Sequence, residues 1–192
     1  MPSDLVLGFD TSGPWVQAAL VQGDTVLGHV DLTMAKGQAE TLMPALDTLL
    51  RDCGVAWAEL DGLGTGTGPG NFTGVRLSVA AARGLALGLG IPAIGVTGFD
   101  ALALDGPPLP VILPALRGQV WVRAPGQPPA LADTPPHPAI GAGLTPPAHP
   151  LPVAIARLAA ARLRQPNPRP APLYLREADA APPREAPPAL IA

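Results

Sequence analysis

The residues best placed to do chemistry lie in Gly64-Thr65-Gly66-Thr67-Gly68-Pro69-Gly70-Asn71-Phe72-Thr73-Gly74-Val75-Arg76, a glycine-dense turn that opens into an apolar, helix-like run. Glycine adopts backbone angles closed to other residues and lets another group approach the main chain, and free amides at a helix start attract anions. Gly66, Gly68 and Gly70 could therefore cradle a phosphate. The same residues also read as a tight strand-to-helix turn capped by Asn71 or Thr73; the Gly-Lys-Ser/Thr ending of a phosphate loop is missing, and both readings stand. A second turn, Asp10-Thr11-Ser12, ends an apolar segment with a carboxylate and two hydroxyls. Ser12, Ser78 and Cys53 are nominal nucleophiles, yet no histidine-carboxylate pair can be assigned to any of them. His29, His137 and His149 lie in unrelated segments without metal-ligand spacing, so no metal site is expected.

The chain has 192 residues, 47% of them hydrophobic, enough for a sizeable core in one domain or two small ones. No charged amino-terminal region precedes a continuous apolar run, and a soluble, cytoplasmic protein without membrane contact is expected. The most apolar stretch, residues 77–96, contains Arg83 and several glycines and ends in Ile91-Pro92, so it reads as a helix followed by a strand. The single cysteine, Cys53, excludes an internal disulfide and reads as a small core residue. Net charge is −3, but residues 1–105 carry four basic and eleven acidic side chains, whereas residues 106–192 carry eight arginines and four acids. Proline divides the same way, five before residue 106 and 22 after it. A boundary is therefore expected near residue 105, separating a first lobe (1–105) from a reduced, proline-rich second lobe (106–176) and a tail without core-forming pattern (177–192). The second-half arginines are spread among prolines and read as solvated surface rather than a polyanion patch.

The pieces that position these turns follow from periodicity. Leu5 to Asp10, Val16 to Val21 and Thr25 to Leu32 read as three strands, the last two joined by the hairpin-like Gln22-Gly23-Asp24. Gln38 to Cys53 carries Leu42, Leu46, Leu49 and Cys53 at helical spacing, with Gly54 as the stop and Pro44 expected in the first turn or at a kink. A fourth strand enters the glycine loop, a helix spans Val75 to Leu89, and Pro92 to Val96 and Gly98 to Leu104 supply a fifth strand and a short helix. The order is βββαβαβα. Farther on, Leu109 to Leu113 and Val120 to Arg123 read as strands and Val153 to Leu163 as a helix, with little pattern between 124 and 152.

A three-stranded start with Asp-Thr-Ser at its first turn, followed by a helix, a strand and Gly-Pro-Gly-Asn-Phe-Thr-Gly-Val-Arg, resembles the bacterial TsaB (YeaZ) family. The resemblance covers residues 5 to about 104 and resumes at Ala115-Leu116-Arg117-Gly118-Gln119-Val120 and at Pro172-Leu173-Tyr174-Leu175-Arg176. It implies an α/β, actin-like (ribonuclease-H-like) fold of two lobes. It also implies a role in making threonylcarbamoyladenosine beside the anticodon of tRNA, as a non-catalytic partner of the transferase TsaD, joined by the ATPase TsaE. No cofactor of its own is implied; ATP and metal are expected on TsaD and TsaE, and tRNA is met through the complex. Only Asp10-Thr11-Ser12 resembles an actin-like phosphate turn, since the opening of the second lobe, Leu113-Pro114-Ala115-Leu116-Arg117-Gly118, has no carboxylate. TsaD-like proteins carry a His-x-x-x-His pair on the first helix, where this chain reads Lys36-Gly37-Gln38-Ala39-Glu40. Two rivals remain: a small actin-like kinase or nucleotide-binding protein, and a dinucleotide-binding module, whose fingerprint should follow the first strand rather than the fourth.

The second helix carries more apolar surface than a sheet needs. Val75, Val79, Ala82, Leu85, Ala86 and Leu89 form one stripe, and Leu77, Ala80, Ala81, Gly84, Leu87 and Gly88 make much of the rest apolar too. Burial on both sides is expected, with the small residues admitting a second helix closely. The first helix is expected to join this surface through Ala39, Met43 and Leu50, and Arg76 and Arg83 to rim it. The resemblance assigns the surface to pairing with TsaD and, in its absence, to a homodimer.

Overall fold

The computed structural model describes residues 3–175. β1 (Leu5–Asp10), β2 (Trp15–Gln22) and β3 (Thr25–Thr33) form an antiparallel meander, followed by α1 (Gln38–Asp52), β4 (Gly62–Gly66), α2 (Phe72–Leu89), β5 (Ala93–Val96) and α3 (Gly98–Ala103). The five strands make one sheet in the order β3-β2-β1-β4-β5, with β4 parallel to β1 and to β5. This is the βββαβαβα order expected, and the mixed α/β sheet of the ribonuclease-H-like class. A second sheet, β6 (Val111–Pro114), β7 (Val120–Arg123) and β8 (Ala130–Ala132), is antiparallel throughout, and α4 (Leu151–Arg162) completes the described chain. Arg176 and the expected tail 177–192 lie outside the described residues.

Alternation along β1 explains the layers. Leu5, Leu7 and Phe9 face one side, where they join Leu42, Leu46, Leu49 and Leu50 of α1 and Ala82 of α2 in one cluster. Val6 faces the other side and joins Ala19, Val21, Ile94, Val153, Ala156 and Ala159. Thus α1 and α2 cover one face of the five-stranded sheet, and α4 covers the other.

That second layer comes from the far half of the chain. The helix expected within residues 106–176 closes the core of the first sheet. Its approach is unusually close because three strand positions have no side chain. A Cβ on Gly8 would lie 2.6 Å from the Pro152 carbonyl oxygen and 2.7 Å from the Ala156 nitrogen. One on Gly64 would lie 2.9 Å from the Ile155 carbonyl oxygen, and one on Gly62 would overlap Leu163. Residues 124–150, expected to be loop-rich, contain only the short β8 and the bridges of Ile140 to Val111 and Thr145. Ile140 anchors this stretch beside Phe99 and Val111.

Pro44 lies inside α1, beyond the first turn and on its exposed side. One expectation for α1 is not met. Leu50 is not an interface residue: it is 1% exposed and packed with Leu46, four residues earlier on the same stripe.

Candidate functional site

The two turns singled out in the sequence meet at the ends of β1 and β4, and the glycines between them are contact points. A Cβ on Gly66 would overlap the Asp10 carboxylate, one on Gly70 would overlap the Ser12 carbonyl, and one on Gly74 would overlap the Thr11 carbonyl. The backbones are then tied together. Asn71 N–H donates to the Ser12 carbonyl at 2.6 Å, and the Thr11 hydroxyl donates to the Gly74 carbonyl at 2.6 Å. Gly68, at φ 88, takes the left-handed conformation that turns the loop, and its carbonyl accepts Gly98 N–H at 2.9 Å.

Asn71 caps α2. Its side-chain oxygen accepts Gly74 N–H at 3.0 Å and its carbonyl accepts Val75 N–H at 2.9 Å, whereas Thr73 is exposed and makes no capping bond. Protein groups thus occupy part of the amide cluster that an anion would use, and the tight-turn reading accounts for every glycine contact described.

Asp10 is 1% exposed. One carboxylate oxygen accepts from Ser12 N–H at 3.0 Å, the Ser12 hydroxyl at 2.8 Å and Trp15 Nε1–H at 2.8 Å. Burial pushes its pKa above the ordinary carboxylate value; the bonds from Trp15 and Ser12 oppose this without cancelling it. The carboxylate is engaged in holding its own turn. Ser78 is also buried, donating to the Gly66 carbonyl at 3.0 Å inside the α2 packing. Cys53 is half-buried, and burial, followed by the charge of Asp52, pushes its thiol pKa up, away from thiolate reactivity. His149 lies 2.8 Å from Asp105, while His29 and His137 are exposed on β3 and a loop. No group of three or more potential metal-ligating side chains occurs among the described residues.

The outward side of α2 is different in kind. Gly74, Val75, Ser78, Val79 and Ala82 are buried against the sheet, and Leu85, Ala86 and Leu89 are half-buried. Ala80, Arg83, Gly84, Leu87 and Gly88 are exposed, Leu87 at 86%, and a Cβ on Gly84 would meet nothing within 4 Å. Of the residues expected on this surface, Arg76, Ala39 and Met43 are exposed, whereas Leu77 and Ala81 are half-buried at the border with the core. α2 is the one described helix long and apolar enough to cross a membrane by length and composition.

Beside this face Arg76, expected at its rim, joins two aromatic side chains that the sequence-based site did not include. The guanidinium of Arg76 lies 3.6 Å from the Phe72 ring centroid and donates from Nε to the Tyr174 hydroxyl at 2.8 Å. Phe72 and Tyr174 are 55% and 52% exposed, with ring centroids 5.8 Å apart. Leu173 N–H donates to the Thr67 carbonyl at 2.8 Å, tying the same terminal segment to the glycine loop.

Comparison with known proteins agrees with the fold and the motifs. Residues 26–132 match the family model described as TsaD: tRNA N6-adenosine threonylcarbamoyltransferase. The chain is 36% identical over 120 residues to the tRNA threonylcarbamoyladenosine biosynthesis protein TsaB of Bacillus subtilis (strain 168), covering 60% of this chain and 52% of that one. It therefore spans about half the length of that relative. It is also 36% identical over 202 residues to an uncharacterised protein of Mycobacterium tuberculosis, covering 92% of this chain and 94% of that one. YeaZ from Pseudomonas aeruginosa has the same fold, with a TM-score of 0.71 at 24% identity, covering 90% of this chain and all of that one. With the family model matched over more than half its length and relatives of this identity, the chain belongs to the TsaB/YeaZ family.

Proposed function

We propose that the chain is a non-catalytic scaffold subunit of the complex that makes N6-threonylcarbamoyladenosine next to the anticodon of tRNA, and that it binds and activates TsaD. The observation that carries this reading is the uncovered α2 face: Gly84 without neighbours, Leu87 at 86% exposure and Met43 of α1 at 41%. Apolar surface of this kind favours a partner, and small residues let a partner helix come close. Family membership favours TsaD as that partner. Without TsaD, the same face pairs with a second copy.

The groups that could have done chemistry support a scaffold in preference to an enzyme. The Asp10 carboxylate and the Ser78 hydroxyl are buried and bonded within the fold, and the three histidines are dispersed. Nucleotide and metal accordingly belong on TsaD and on TsaE, which joins the complex, and tRNA is engaged through the assembly. The site of action is cytoplasmic, and α2 is assigned to the sheet and a protein partner rather than to a bilayer.

Co-purification of the chain with TsaD, followed by reconstituted tRNA modification, tests the reading. Association lost on Gly84→Glu in a folded protein supports it. Unchanged association moves the partner surface elsewhere. ATP turnover by the chain alone, abolished by Asp10→Ala, would instead favour the kinase-like alternative.

A further inference from the structure

At the far edge of the main sheet, β3 ends the strand order and, among the described residues, pairs only with β2. Its sequence, Thr-Val-Leu-Gly-His-Val-Asp-Leu-Thr, contains neither lysine nor proline, the residues that usually blunt such an edge, and Val26, Leu27 and Leu32 are each 39% exposed. The β2 pairing skips Leu27, leaving Gly28 to Thr33 as a regular run. Neither His29 nor Asp31 has an ion-pair partner among the described residues.

We propose that β3 is a self-association strand, pairing antiparallel with β3 of a second copy about a twofold axis at Val30. Chemistry selects this register. A twofold axis at His29 sets His29 against itself and Asp31 against Leu27, and one at Asp31 sets two carboxylates against each other. Centred on Val30, His29 faces Asp31 of the second copy and Asp31 faces its His29, giving two complementary pairs on one face of the joined sheet. On the other face Leu32 meets Gly28, over which Leu49 of α1 and Cys53 are packed. Backbone bonds along the edge supply affinity, and the His29–Asp31 pairs fix the register. Because β3 and the α2-bearing strands lie at opposite sides of the sheet order, this pairing leaves the α2 face open. It is thus separate from the partner surface assigned above.

The full chain carrying Gly84→Glu, a change at a position where a Cβ meets nothing within 4 Å and which on the reading above blocks the α2 face, is the material for the test. Sedimentation equilibrium over a wide concentration series should still show a dimer. His29→Asp and Asp31→His, each of which sets like groups opposite each other, should each weaken it about tenfold, and the double exchange should return it to within about threefold. Hydrogen exchange of the unexchanged Gly84→Glu chain gives a second reading that needs no edge variant: amides between residues 27 and 33 should gain protection as concentration rises. A strictly monomeric Gly84→Glu chain, a dimer indifferent to the single exchanges, or concentration-dependent protection confined to other segments overturns the proposal. TsaD binding by chains altered only at residues 29 and 31 is measured alongside, so that loss of one surface is not mistaken for loss of the other.

Discussion

Arg76 and Tyr174, 98 residues apart in the chain, are joined by a 2.8 Å hydrogen bond from the arginine Nε to the tyrosine hydroxyl. Because the Arg76 guanidinium is also stacked on Phe72, its orientation is set from both sides before any partner arrives. Arg76→Ala should release the terminal segment: the Leu173 amide, bonded to the Thr67 carbonyl, should exchange faster with solvent, while global stability falls by only about 0.5–1 kcal/mol. An unchanged exchange rate at Leu173 would show that the stack does not hold the segment.

Gly84→Glu should lower affinity for TsaD by about 100-fold or more, since it blocks close helix approach and buries a charge without a partner. Arg83→Ala should cost less, as expected of a rim side chain. Titration calorimetry on folded variants makes the comparison. An Arg83 effect equal to that of Gly84 would argue that charge rather than close packing dominates the contact.

The strand glycines and the helix glycine should respond in opposite senses. Gly8→Val drives a side chain into the α4 backbone and should cost about 3 kcal/mol, lowering Tm by roughly 6–12 °C. Gly84→Ala fills open space on a helix and should raise stability by about 0.5–1 kcal/mol. Thermal unfolding of the two variants checks both signs, and a neutral Gly8→Val would mean that α4 can lift off the sheet at little cost.

Asp10 predicts a pH dependence. Its folded pKa lies above the ordinary value of 3.8, so the folded protein retains a proton that the unfolded chain has already released. The group's contribution is therefore most favourable below about pH 4 and declines as pH rises through the folded pKa. Asp10→Asn should remove that decline, gaining on the parent protein as pH rises above about 4 in urea unfolding. Parallel pH profiles for the two proteins would mean that the carboxylate finds compensation beyond Ser12 and Trp15.

Where a residue's environment is set by its near neighbours, the sequence was a good guide. The β1–β3 meander, α1, the glycine loop and α2 all follow from local periodicity and turn chemistry. Leu50 was misplaced although the signal was present, because Leu46 and Leu50 share a stripe four residues apart. The seat of α4 was not legible. Gly8, Gly62 and Gly64 announce that something comes close, but not that it is a helix from the far half of the chain. The composition shift at residue 105 pointed the other way, since proline content records loops and not which core a later helix completes. The Arg76 cluster was missed for the same reason: Tyr174 comes to α2 from beyond the second sheet and α4 in the sequence.

The position of α4 also sets the timing of folding. As the chain emerges from a ribosome, β1 to β5 are complete well before α4, and at ~5–20 residues per second that interval lasts several seconds. Throughout it Val6, Ala19, Val21 and Ile94 have no cover, so the nascent sheet presents a wet apolar face. A fragment ending near residue 105 should remain in this state permanently and aggregate, whereas the same fragment supplied with a peptide spanning residues 148–165 should become soluble. Cutting the protein at the composition boundary near residue 105 should therefore not give independently folding parts.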